Sequence, residues 1–357
     1  MLNSSLPKAR ITWIDSAKGV CITLLVLHHV IFSYSSISSD LPMQGIWSLF
    51  WNGTLALGLF RMPAFFFCSG LVMSMGSSKR TWAWLVEKRL VFFVWVIAFW
   101  TVMCWVSEVL GLHLYPAGKS PVVDASNLFI LPYGNLWFVY AILCTTLLQF
   151  FIGSWRPWLA LFAVVVLVVA SSYVIERVDL GSYKLFVHGL VYYGLFFFSA
   201  GAFMGPWLVS SLERWRPSKV ILISFTCVVA SGMLMGIYMF EGASRTFFVS
   251  VPFVFSFLSF VYYLNNNRLF ERVFSSLGAK SLQVFILHQF FVAAFFYLLP
   301  EGLKYDQWPI SLVFVWILTV ALSYLLAVGS SKLGADWLFR SPEFLKKAVM
   351  KFYHRAF

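Results

Sequence analysis

The sequence predicts an all-α protein, a polytopic transmembrane helical bundle of about ten spans with both termini in the cytoplasm. Three observations carry that expectation. Of its 357 residues, 61% are hydrophobic and only 11% charged, which excludes an ordinary soluble domain. Apolar runs long enough to cross a bilayer recur at about 12–34, 53–75, 86–110, 135–153, 158–175, 186–209, 219–240, 246–264, 281–299 and 308–330. With the amino terminus inside, 20 of the 26 Lys and Arg residues fall on inner segments, 5 on outer ones, and Arg61 lies within a span. That asymmetry is the positive-inside pattern.

The first run holds Asp15, Lys18, His28 and His29. Ionisable groups in a bilayer are costly and normally face a protein interior, so four in one span point to a site. The second run carries Arg61 just before Met62 and Pro63, near the expected outer end. Proline inside a span frees backbone groups that neighbours or a wet cavity must satisfy. The third run opens with Glu87, Lys88 and Arg89, which form a basic collar with Lys79 and Arg80.

The connection LHLYPAGKSPVVDASNLFILPYGN is rich in turn formers and is expected to cap an outward-facing opening. Asn135, Trp137 and Tyr140 begin the fourth run, the aromatic pair suiting an interfacial belt. The fifth to eighth runs are apolar stretches punctuated by charges and turn residues. His288 and Gln289 lie in the middle of the ninth, where a histidine between Leu287 and Phe290 needs a partner.

After the tenth run, SPEFLKKAVMKFYHRAF alternates apolar and basic residues like an amphipathic helix on the inner surface. The expected division is therefore a transmembrane domain, residues 1–335, and a basic amphipathic cytoplasmic tail, residues 336–357. The net charge of +12 reads as topology and contact with anionic membrane lipids, not as nucleic-acid binding. Five cysteines lie inside apolar runs without metal-ligand spacing, so no metal site is expected.

From Lys18 to His29 an ideal helix turns about 20° past three full turns and rises about 16 Å. A cation near one membrane face and an imidazole deep in the membrane thus share one helix face. Asp15 can hold the Lys18 ammonium by an i,i+3 contact. His29 is the candidate general base or transient acyl carrier, since imidazole titrates near neutrality and its two nitrogens can abstract or relay a proton. His28 is turned about 100° away. Arg61 and Asn135 are candidate donors to an oxyanion. The competing readings are interfacial anchoring for Asp15, Lys18 and Arg61, and interhelical hydrogen bonding for His28, His29 and His288. No P-loop, GxSxG, HExxH or nucleotide fingerprint is present.

The segments DSAKGVCITLLVLHH, FRMPAFFFCSG, EKRLVFFVW, NLWFVYAIL and LGAKSLQVFILHQF, in this order between about Ile14 and Phe290, resemble those of the acyltransferase 3 family of integral membrane proteins. The resemblance implies transfer of an acyl group, usually acetyl, from cytoplasmic acyl-CoA to a hydroxyl of a glycan, a lipid-linked sugar or another acceptor at the outer face. It implies a bacterial inner-membrane location and no bound cofactor, acetyl-CoA or another acyl-CoA being the donor substrate. The family's first-span pattern of a basic residue, ten residues and a histidine maps onto Lys18 and His29, making His29 the implied catalytic residue. A second pattern, two arginines separated by two residues, is half present: Arg89 fits, Val86 stands in the first position, and Lys88 is the substitute. Many members carry histidine where this chain has Arg61, and His288 falls where relatives often have one. The runner-up class is a transporter or flippase of a glycan or small polar molecule, with a midplane site on broken helices.

Overall fold

The computed structural model describes residues 11–75, 81–114, 132, 134–175, 177–236 and 242–356. The main helices are α1 (Thr12–Tyr34), α2 (Gln44–Ser74), α3 (Trp82–Val109), α4 (Trp137–Ile152) after a 3-10 turn at Gly134–Leu136, α5 (Pro157–Ile175) and α6 (Lys184–Arg214). There follow α7 (Pro217–Gly236), α8 (Gly242–Leu264), α9 (Arg268–Ala279), α10 (Ser281–Leu298), α11 (Trp308–Lys332) and α12 (Glu343–Ala356). No strand occurs among the described residues. Helix is the expected solution for apolar runs in lipid, because it satisfies every backbone group within its own segment.

Each of the ten expected runs coincides with a helix. Among the described residues eight helices are long and apolar enough to cross a membrane; α7 and α8 contain shorter apolar stretches at Pro217–Val229 and Val249–Leu264. The chain is an integral, all-α membrane protein. The expected cap between α3 and α4 lies almost wholly outside the described residues, as do Lys79 and Arg80.

The backbones of α2 and α6 approach closely at glycines. A Cβ on Gly70 would stand 1.9 Å from the Phe198 carbonyl oxygen, and one on Gly201 would stand 1.9 Å from that of Phe67. The same device joins α1 to α9: a Cβ on Gly278 would meet the Asp15 carbonyl oxygen at 1.7 Å, and one on Gly19 would meet that of Phe274 at 2.0 Å. Small residues at such crossings substitute dispersion contact for the hydrophobic effect, which lipid cannot supply.

Polar side chains pin α1 along its length. Ser16 donates to Asn265 Oδ1 at 2.6 Å, the Trp316 indole donates to the Thr23 carbonyl at 2.9 Å, and Tyr34 and Ser311 share a 2.7 Å hydrogen bond. The site-bearing helix is thereby fixed by the turn after α8 at one end and by α11 at the middle and far end.

Two departures from regular helix occur among these helices. Val86–Leu90 and Gly189–Leu195 are π-helical turns inside α3 and α6, a geometry that re-aims side chains and recurs at functional sites. The tail is helical as expected and packs on α3. Ahead of it, the carbonyls of Trp337 and Leu338 accept from the indoles of Trp95 and Trp100, at 2.7 and 2.8 Å.

Candidate active site

Geometry on α1 separates the two histidines. The His29 ring faces His288 of α10, with centroids 5.0 Å apart and planes inclined by 49°. Nδ1 of His29 is buried and has no hydrogen-bond partner among the described residues. The His28 ring turns instead toward α2, where its Nδ1 lies 3.3 Å from Thr54 Oγ1.

His288 is fully buried and held from the amino end of α4. Asn135 Nδ2 donates to His288 Nε2 at 3.2 Å and to Gln289 Oε1 at 3.1 Å. An amide nitrogen only donates, so in this contact the ring nitrogen of His288 is the acceptor. Gln289 continues the chain by donating from Nε2 to the Leu114 carbonyl. The Asn135 amide nitrogen is thus directed at two residues of α10.

Arg61 sits in a helix longer than the expected span. Because α2 begins at Gln44, nine residues before the expected span, Arg61 lies mid-helix, and it is buried, with 6% of its surface exposed. Its Nη1 donates to the Thr54 carbonyl at 3.1 Å and to Thr54 Oγ1 at 3.3 Å, since side chains on a helix lean toward its amino end. Thr54 thus bridges Arg61 and His28. Its signal in the sequence was its seven-residue spacing from Arg61, about two turns on one face.

At the other end of α1, Lys18 and Arg89 line one cleft of about 160 Å³. Asp15, itself buried, holds the Lys18 ammonium at 3.6 Å. Arg89 reaches this cleft from the π turn of α3, whereas Lys88, its neighbour on that turn, lines a different cleft. Phe65, Phe138 and Phe198 supply apolar walls. Phe138 also leads toward the histidines: its ring centroid is 4.7 Å from that of Phe285, which is 5.8 Å from that of His288. Sequence reasoning had no means to find this relay of rings, since Phe138 and Phe285 resemble any of the 39 phenylalanines.

The structure thus brings His29, His288 and Asn135 together, joins His28 to Arg61 through Thr54, and sets Lys18 with Arg89 apart from Lys88. Among the described residues no cluster of His, Cys, Asp or Glu could hold a metal ion.

A helical membrane bundle with a basic cleft at one end and an imidazole pair within defines the class of protein. The chain belongs to the acyltransferase 3 family: the family's model, described as an acyltransferase domain, matches residues 11–328. It is 25% identical over 370 residues to the inner membrane protein YcfT of Escherichia coli (strain K12), a match covering 96% of this chain and 99% of that protein. No solved structure matches the chain.

Proposed function

We propose that this membrane acyltransferase moves an acetyl group from cytoplasmic acetyl-CoA to a hydroxyl of a cell-envelope glycan or lipid-linked sugar at the outer face. Its place is the bacterial inner membrane, the location named for the Escherichia coli relative. The observation that supports the reaction most is the division of α1: a cation-lined cleft at Lys18 and Arg89, and an imidazole pair further along the same helix.

In this reading the donor's phosphates lie against Lys18 and Arg89, and its pantetheine arm extends past Phe138. A rise of about 16 Å from Lys18 to His29 is of the order that arm covers. His29 takes the proton of the acceptor hydroxyl as its oxygen attacks the thioester carbonyl. The tetrahedral intermediate collapses by breaking the C–S bond, and the proton passes to the departing thiolate. Arg61 is the residue available to stabilise the developing oxyanion. His288, held by Asn135, orients His29.

The test is incubation of the purified protein in liposomes with isotope-labelled acetyl-CoA and envelope glycan extract. Label is expected in an ester on the glycan. Movement of unmodified glycan across the bilayer without label would replace this reading by that of a carrier.

A further inference from the structure

Lys88 and Arg89 are sequence neighbours that enter two different clefts. The second cleft, of about 170 Å³, is lined by Glu87, Lys88, Phe92, Arg340, Ser341 and Lys346, and lies between α3 and the segment leading into α12. It is not part of the acyl-transfer machinery described above.

Three cations meet there. Lys88 pairs with Glu87 at 2.5 Å, and Lys346 pairs with Glu343 at 2.6 Å. Arg340 is exposed and has no carboxylate within ion-pair distance among the described residues. Ser341, beside it, is 4% exposed. Its Oγ is buried without a hydrogen-bond partner among the described residues. A buried hydroxyl left unpaired costs free energy and calls for a partner. The ligand that satisfies a hydroxyl and a guanidinium together, while tolerating two partly neutralised ammonium groups, is a tetrahedral oxyanion with several acceptor oxygens. Phosphate meets this description, and the planar guanidinium fork suits it.

The surroundings favour a lipid as its source. Trp337, Phe344 and Phe352 are 47%, 72% and 74% exposed, and α12 carries Lys346, Lys347 and Lys351 on the same short helix. Large apolar side chains beside lysines mark a helix lying in a membrane interface, where phospholipid phosphates sit. We propose that the cleft between α3 and α12 is a phosphate-binding site, occupied by the headgroup phosphodiester of an anionic phospholipid. The same chemistry would accept a soluble phosphomonoester, so the test separates the two sources.

The full chain is prepared as wild type, Arg340→Gln and Ser341→Ala, with Arg272→Gln, an exposed cation of α9, as a control for charge alone. In one arm, nanodiscs of phosphatidylcholine doped with phosphatidylglycerol are assembled, and retained lipid is counted by native mass spectrometry. In the other, binding of adenosine 3′,5′-bisphosphate is followed calorimetrically in neutral detergent. The wild type should retain phosphatidylglycerol in preference to phosphatidylcholine. Arg340→Gln should reduce that preference about tenfold, the effect of losing one hydrogen bond to a charged group. Ser341→Ala should reduce it in the same direction, with Arg272→Gln unchanged. If the variants instead retain the lipid normally but lose the bisphosphate, the phosphate site stands and its source is soluble. No difference in either arm, or an equal loss in Arg272→Gln, overturns the proposal. Arg340→Lys, which keeps charge but loses the fork, should fall between wild type and Arg340→Gln.

Discussion

The imidazoles of His29 and His288 face one another across the contact of α1 with α10, their centroids 5.0 Å apart. His28, adjacent in sequence, faces Thr54 instead. Removing a general base costs about 100-fold to 10,000-fold in rate. His29→Ala should therefore insert and fold but lose acyl transfer, while His28→Ala, whose ring is occupied by Thr54, should keep substantial turnover. Acetylation by purified, monodisperse variants at saturating acetyl-CoA decides this. The reverse ranking would move the catalytic role one residue back.

Asn135 is the hinge of the polar chain that reaches His288 and Gln289. Asn135→Ala leaves two buried acceptors without their donor, a loss of about 1–3 kcal/mol each at most. Both a lower melting temperature and a displaced limb of the pH–rate profile are expected, because His288 would be free to change tautomer or orientation beside His29. A fall in stability with an unmoved profile would make Asn135 a packing residue only.

Glycine contacts give a stability prediction independent of the chemistry. Gly70→Ala and Gly201→Ala each drive a methyl group into a backbone carbonyl of the neighbouring helix, and such overpacking costs about 1–3 kcal/mol. Gly45→Ala, with nothing within 4 Å of the added carbon, should leave the melting temperature in detergent unchanged or slightly raised. Equal behaviour of Gly45→Ala and Gly70→Ala would mean that α2 and α6 do not cross where described.

These glycines mark the limit of what the sequence made legible. Helix positions followed from hydropathy, since the bilayer imposes one solution on every long apolar run. The facing of Lys18 and His29 along α1 followed from helical period. Pairings between helices did not: Gly70 and Gly201 look like any glycine until the partner backbone is known, and the Asn135–His288 bond spans 153 positions. The start of α2 was expected at residue 53 because Gln44–Asn52, with its polar residues, does not read as membrane span, although α2 runs through it. The amphipathic α9 was missed for a related reason: it is short and polar on one face, so a search for apolar runs passes over it. Lys88 and Arg89 read as one collar because a π turn leaves no signature in composition, yet it sends them to separate clefts.

The division of basic residues, 20 on one set of segments against 5 on the other, predicts ten crossings with both ends in the cytoplasm. A reporter fused after Phe357 should be active only in its cytoplasmic form. Periplasmic activity there would require an odd number of crossings, and α7 or α8, the two helices with the shorter apolar stretches, would be the first to reassign.

Donor recognition should depend on Lys18 and Arg89 together, because they line one cleft from two helices and fixed positive charge raises the local concentration of a polyanion. Losing either charge-assisted contact is expected to weaken acetyl-CoA binding about tenfold. Lys88→Ala should do less, since that side chain lines the other cleft and is paired with Glu87. Asp15→Asn tests the geometry from the other side. It keeps the size of the residue but releases Lys18 from its 3.6 Å ion pair, so the ammonium loses its anchor while the cleft gains net positive charge. Affinity in Asp15→Asn should then become more sensitive to ionic strength than in the wild type, as unanchored charge is screened more effectively. Titration of acetyl-CoA into each variant in neutral detergent, at low and high salt, reads all four. Unchanged affinity in both Lys18→Ala and Arg89→Ala would remove the donor from this cleft, and an effect confined to Lys88→Ala would move it to the cleft beside α12.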